Sequence, residues 1–472
     1  MLEAVMYSCS MSEVSIAFLG ATDTVTGSRF LISSGQSKIL VDCGLFQGIK
    51  SIQRRNWDPF PVNAREIDAI VLTHAHLDHS GYLPLLVKEG FYKEIYGTRY
   101  TNDLAKIILR DSARLQMDDA KFAAERGYSK HKDPQPLYTS DDAEKAIDHL
   151  RERPFHSREQ IAPDAFVTFY PSGHILGSSF VVVEVDGKSF LFTSDMGRNN
   201  HPLLSKPDLP PQLDFDVVVT ESTYGDRLHD TSPEVFAQEI NDAIARGGAI
   251  LIPAFAVDRT EVILMALKEL IASKKIPAIP IYVDSPMAIS ALNLYREAIT
   301  SRSPEIGPGV SDRFVNEDPF DAGQLNQMLT TEESKSLNNI DHAAIIISAS
   351  GMATGGRVVH HLANMLPDPK NTVILVGYQA IGSRGRWLEE GAKTLKIHGK
   401  EVDVNAHIAK VESFSVHADS DELMSWLSKC RKPKMAYVVH GEPESQISMH
   451  NRLTTELGWD VRIPKPSQSF QA

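Results

Sequence analysis

Cysteine is scarce. Cys9, Cys43 and Cys430 lie far apart in a chain of 472 residues. They form no Cys-x-x-Cys pair and are odd in number, which excludes a disulfide framework and makes a reducing cytoplasm the expected home. Apolar runs are short. None approaches the roughly 18 residues of a membrane helix. The opening stretch MLEAVMYSCSMSEVSIAFLG lacks a basic segment followed by an apolar one, so no secretory signal is expected. Met11 is a candidate alternative start, with the first ten residues a disordered lead. Positive charge is also short, at 48 Lys and Arg against 61 Asp and Glu, for a net charge of -13. That balance argues against nonspecific coating of nucleic acid. It leaves room for a local basic groove, or for a site where metal ions bring the positive charge. Finally, no low-complexity tract, internal repeat or Pro/Gly-rich linker divides the chain, although its length exceeds one ordinary core. Two or three domains with a tight interface are expected.

What is present is an alternation of short apolar strands and helical segments. VSIAFLG, FLISSG and SKILVDCG read as strands. AIVLT is a buried strand that runs directly into a loop rich in His and Asp. Asp103 to Arg126 reads as a long helix with a polar face. FVTFYPSGHILGSSFVVVEV and KSFLFTSDMG add strands joined by turns, and DFDVVVTESTYG ends another in a polar loop. Near residue 226 the texture changes. SPEVFAQEINDAIARGG is a helix with Ser232 as its cap. AILIPAF, AIPIYVDS, AAIIISAS and NTVILVGY then alternate with helices such as TEVILMALKELIASKK. This indicates a second α/β domain with a mostly parallel sheet covered on both faces. ESFSVHADSDELMSWLSKC and KMAYVVHGEPES return to strand-loop-helix units.

Histidine is plentiful, at 17 residues, and several cluster with carboxylates. His74-Ala75-His76-Leu77-Asp78-His79 packs four potential ligands into six positions at a strand end. Imidazole suits zinc, and a carboxylate suits a hard, water-activating ion. One zinc rarely takes so many ligands from one loop. The economical reading is two adjacent metals, with His74 and His76 on one and Asp78 and His79 on the other. His174 in PSGHILGS, Asp195 in FTSDMGR and His440 in VVHGEP each follow an apolar run among small residues, which allow close approach. His174 would complete the first metal and His440 the second, with Asp195 bridging.

HAHLDH and the later His and Asp resemble the metallo-β-lactamase superfamily. Asp42, in ILVDCG, matches that superfamily's first motif, and the resemblance implies that it braces the metal loop without binding metal. Glu221 in TESTYG, His417 in FSVHAD and His440 in VHGEP are similar to the three motifs of the β-CASP nucleases. Ser348 to Arg357 and Gly377 to Arg386 also resemble that group's inserted domain. The likeness runs from about Val14 to the end, with no metal ligand substituted. His417 is not needed as a ligand and is free to act as general acid, with Glu221 holding its ring and favouring its protonated form. Ser348, Ser350 and Gly351 lie in the segment that resembles the family's phosphate loop. Arg357, Arg384 and Arg386 are candidates to line an RNA groove, and Phe414 and Tyr378 to stack bases; core positions are the plainer reading of those two aromatics.

The expected architecture is therefore an αββα metallo-β-lactamase domain from residues 1–223 and 413–472, with a β-CASP domain inserted at 224–412. The resemblance implies a ribonuclease with two Zn2+ per chain, acting on single-stranded RNA in RNA processing or decay and leaving 5′-phosphate and 3′-hydroxyl ends. Endo- and exonucleolytic action, single-stranded DNA as substrate, and a homodimer all stay open. Two rivals remain, a small-ester hydrolase of the same superfamily and a non-catalytic RNA-binding scaffold. The inserted domain argues against the first, and the complete ligand set against the second. Only 32 residues follow His440, so a compact bacterial member without extra terminal domains is expected.

Overall fold

The structure is a computed structural model that describes residues 13–126, 133–229 and 233–472. Cys9, Met11 and Ser232 lie outside the described residues. Among the described residues no helix is long and apolar enough to cross a membrane.

Two seven-stranded sheets form a sandwich. The first runs from the carboxy-terminal strand Ser469–Gln471 through Ser15–Phe18, Phe30–Ser33, Lys38–Val41, Ala69–Val71 and Glu94–Gly97 to Leu150–Glu152. The second is built on Lys188–Phe192, Val217–Thr220 and Met435–Val438, which lie side by side and parallel. Phe18, Phe30, Phe190, Phe192, Val219 and Tyr437 fill the space between the sheets. Their alternation with outward residues is the period-2 pattern of a half-buried strand. Helices cover both outer faces. Leu104, Ile108 and Leu109 of Arg99–Arg126 pack on one side. Leu423, Met424 and Leu427 of Ser420–Leu427 pack on the other, together with Met449 and Leu453.

The inserted sheet has six strands, with Ile250–Pro253 and Ile345–Ser348 at its centre. All its pairings are parallel, which fits strands that read as unbroken apolar runs with helices on both faces. Its core is continuous with the outer layer of the first sheet. Leu176, Leu203 and Leu204 from the sandwich join Tyr295, Ile299 and Ile306 from the insertion in one buried cluster. The interface is tight, as the missing linker suggested.

Parallel neighbours end on the same side of a sheet. Lys38–Val41 and Ala69–Val71 are parallel in one sheet, and the trio containing Lys188–Phe192 is parallel in the other. Asp42, His74, Asp195, Glu221 and His440 all follow the carboxyl ends of these strands. Open α/β sheets gather ligands at that edge.

Candidate metal centre

The side chains at this edge converge in three groups: His74, His76, His174 and Asp195; Asp78, His79 and His440; and Asp195, Glu221 and His417. In the first, His76 Nδ1 lies 3.2 Å from both His74 Nε2 and His174 Nε2. Asp195 Oδ2 is 3.6 Å from each of those Nε2 atoms. In the second, His79 Nε2 is 3.2 Å from His440 Nε2, and Asp78 Oδ2 is 3.5 Å from His440 Nε2. The other oxygen of Asp195, Oδ1, reaches His79 Nε2 at 3.4 Å. Asp195 therefore offers one oxygen to each of these two sets.

These spacings fit a cation in each set. Four ligands placed tetrahedrally at zinc–nitrogen distances stand about 3.3 Å from one another. Imidazole nitrogens that face one another so closely present lone pairs with too few protons between them. Asp195 Oδ1, which faces the second set, is also buried with no hydrogen-bond partner among the described residues, and buried polar atoms are rarely left so without a ligand.

The His79 and His440 rings each have a partner at Nδ1. His79 Nδ1 lies 2.8 Å from Asp42 Oδ2, which turns Nε2 inward. Asp42 also accepts from the Thr73 amide at 2.8 Å and from its hydroxyl. His440 Nδ1 is 3.1 Å from the Thr223 hydroxyl. Asp42 thus braces the loop from behind, the common arrangement for metal-bound histidine. Thr73 and Thr223 were missed in the sequence. Their only signal is that each stands beside a motif residue.

The electrostatics divide the rings. Burial, with neighbouring imidazoles, holds His74 and His174 well below the usual histidine range and His76 at about 4. They are neutral at physiological pH, as ligands must be. Burial opposes charge on His79 and His440 as well, but Asp195 with Asp42 or Asp78 outweighs it and raises both. Burial likewise disfavours the Asp195 carboxylate, and His440, His79 and His74 overcome it, keeping the carboxyl well below its ordinary value.

His417 borders the first set. Its Nε2 is 3.9 Å from Asp195 Oδ2, and its Nδ1 is 3.4 Å from Glu221 Oε2. Glu221 is pinned by the Met196 amide at 2.6 Å. His229, which the sequence reading passed over, donates its ring N–H to the His417 carbonyl at 3.0 Å. Burial and Arg198 keep His229 at about 4, neutral and able to hold that bond.

The phosphate-loop candidates divide. Gly351 packs under Phe255, whose ring lies 6.0 Å from His76, so one aromatic ring separates Gly351 from the first set, while the Ser350 hydroxyl is bonded to Thr354. Ser348 does not face the groove. It is buried and gives its hydroxyl to the Asp284 carbonyl. Arg357 is turned inward as well, to the Asp284 carboxylate at 2.7 Å and the carbonyls of Met328 and Leu329. A fully buried carboxylate demands a cation, and Arg357 answers that demand. Arg384 donates to the carbonyls of Ala353 and Thr354 and stays partly exposed. Arg386 pairs with Glu390. Phe414 is core, packed 4.7 Å from Phe236. Tyr378 is half-buried, 5.7 Å from Tyr224.

A four-layer sandwich with histidine and aspartate ligands on strand-end loops defines a metallo-β-lactamase-type hydrolase. Residues 23–224 match the metallo-beta-lactamase superfamily, 260–388 the Beta-Casp domain and 401–464 the Zn-dependent metallo-hydrolase RNA specificity domain. The chain belongs to the β-CASP group of that superfamily. It is 37% identical to Ribonuclease TTHA0252 of Thermus thermophilus, over 94% of this chain and 97% of that one. It is 32% identical to an RNase J-like protein of Methanocaldococcus jannaschii, over 96% and 98% of the two chains. A protein called transcription termination factor FttA, from Pyrococcus abyssi, is 30% identical over 96% of this chain and 70% of its own length. A crystal structure of an Enterococcus faecalis protein of unknown function shares the fold, with a TM-score of 0.52 at 12% identity over 98% of this chain and all of that one.

Proposed function

We propose that the protein is a metal-dependent ribonuclease that hydrolyses phosphodiester bonds of single-stranded RNA in the cytoplasm. The observation that carries this reading is Asp195 standing between two histidine-rich sets, one oxygen toward His74 and His174 and the other toward His79, with His417 at their border. Kinship with a ribonuclease and an RNase J-like protein, each nearly full length, supports RNA as the substrate. Two Zn2+ ions, held by His74, His76 and His174 and by Asp78, His79 and His440, with Asp195 between them, would neutralise the phosphate and activate water. His417 presents Nε2 toward that centre and gives its proton to the leaving oxygen. Glu221 orients the ring from the Nδ1 side. Ser350, Gly351 and Arg384 flank the cleft and contact the phosphate backbone.

The test uses end-labelled unstructured RNA with and without chelator, alongside elemental analysis. The intact protein should carry two zinc ions per chain and lose cleavage on chelation. His76→Ala should lose metal and activity together. His417→Ala should keep both ions and lose ~10²–10⁴-fold in rate, the range for a general acid. A His417→Ala protein depleted of metal would make His417 a ligand and overturn its role.

A further inference from the structure

Asp258 is fully buried at the start of the helix Arg259–Ala272 in the inserted domain. Its carboxylate does not cap that helix. Instead Oδ1 accepts from the Tyr295 hydroxyl at 2.6 Å and Oδ2 faces His201 Nε2 at 2.8 Å. His201 Nδ1 accepts from the backbone amides of Leu203 and Leu204, at 3.1 and 3.0 Å. With Nδ1 an acceptor, the ring proton sits on Nε2 and is donated to Asp258. The Tyr295 oxygen accepts in turn from the Leu176 amide at 3.1 Å. Glu305 takes the next amide, Gly177, at 2.6 Å.

These bonds cross from the insertion to two loops of the sandwich. Leu176 and Gly177 lie two and three residues beyond His174. His201 lies six residues beyond Asp195. The same stretch of the insertion fixes the His201 loop a second time, because Gly307 donates to the Leu203 carbonyl and Ser205 donates to the Glu305 carbonyl. The His174 and Asp195 loops also touch directly, since a Cβ on Gly197 would stand 1.9 Å from the Gly173 carbonyl oxygen. Their separation sets the distance between His174 Nε2 and Asp195 Oδ2.

We infer that Asp258, Tyr295 and Glu305 form a clamp by which the inserted domain positions His174 and Asp195 for metal binding. They are positioning residues and touch neither substrate nor metal. The inference rests on the metal reading above. It adds that the first set is held in position from the other domain. A set held only by its own sandwich would not respond to changes in the insertion. This one should, because the Tyr295 and Glu305 bonds end on the backbone of the His174 loop and the Asp258 bond on the His201 side chain, which in turn holds the Leu203 and Leu204 amides. Partners that orient ligands from behind typically contribute 10–100-fold to metal affinity.

The experiment measures zinc affinity of the full chain by competition with a chromophoric chelator. Tyr295→Phe removes one hydroxyl, keeps the ring, and leaves the Leu176 amide without its acceptor. Tyr138→Phe is the control. Tyr138 is equally buried and loses a comparable bond, 2.7 Å to the Ser112 hydroxyl, with no link to the clamp. Tyr295→Phe should weaken zinc binding 10–100-fold, most of all for the ion held by His74, His76 and His174, with a smaller loss for the other, which shares Asp195. Tyr138→Phe should lower the melting temperature and leave both affinities unchanged. Asp258→Ala should match or exceed Tyr295→Phe, and Glu305→Gln, which keeps an acceptor for Gly177, should retain wild-type affinity. Wild-type affinity in Tyr295→Phe, or equal losses in the two tyrosine variants, would overturn the clamp and leave the metal reading standing. A wild-type chain that holds no metal would instead sink the metal reading, and the clamp with it.

Discussion

Several residues at the metal edge hold a backbone that side chains usually avoid. Asp42, Ser194 and His440 have φ of 58°, 49° and 50°, in the left-handed region where a non-glycine residue costs about 1–3 kcal/mol. Each directly follows or adjoins a ligand strand, and each turn points a side chain into the site. Close backbone approach does the rest. A Cβ on Gly44 would stand 1.5 Å from the Asp78 carbonyl oxygen, and Cys43 donates to the His79 carbonyl at 2.7 Å. Gly44→Ala should therefore force the ligand loop out of place. We expect metal content to fall below one ion per chain with the sandwich still folded, read by elemental analysis beside circular dichroism. Full metal content would show that the loop can yield. At this scale the gathering of His and Asp at one edge was legible, because His and Asp after an apolar strand advertise their chemistry. Arg357 and Ser348 were not. Their direction is decided by Asp284, which stands 73 and 64 positions away, and a motif does not display such a partner.

Strands and helices were legible where their periods were clean, and the apolar runs of the insertion announced a parallel sheet. Strand order was harder to read. Nothing in SQSFQA announces that Ser469–Gln471 pairs with Ser15–Phe18, because a short edge strand carries little pattern. The clamp was likewise invisible, since His201, Asp258, Tyr295 and Glu305 come from separate elements. Glu305 gives this junction a pH dependence. Burial raises its carboxyl from 4.5 to about 7, against the pull of the Gly177 amide and Arg99. The folded state therefore binds the proton more tightly than the unfolded chain. The stability from this group is complete below about pH 4.5 and is lost as pH rises through 7. Glu305→Gln removes the charge and keeps the acceptor. Its melting temperature should approach that of wild type at acid pH and exceed it at pH 8. The gap should correspond to no more than about 3 kcal/mol, and less because the side chain is not wholly enclosed. Parallel curves from pH 4.5 to 8 would mean that Glu305 titrates normally.

At the scale of the whole molecule, the clustered His and Asp are mostly enclosed. His74, His79, His174, Asp195 and His440 are buried, and only His76, Asp78 and His417 reach solvent in part. A flexible single strand can thread its backbone to such a site, and a rigid duplex cannot. Unstructured RNA should be cut, and the same sequence in a perfect duplex protected, at equal length and ionic strength. Equal rates would require an open cleft. With a net charge of -13, attraction should come from the groove itself and not from the general surface.

The sandwich closes only with strands from the far end of the chain, and this orders events at the ribosome. His440 is separated from His79 by 361 positions, and Met435–Val438 must dock beside Val217–Thr220 before it arrives. Until then the second ligand set lacks a member, however well the earlier segments have folded. A growing chain tethered beside its own messenger therefore carries an incomplete centre, and cutting power is withheld until Met435–Val438 has been made and has docked.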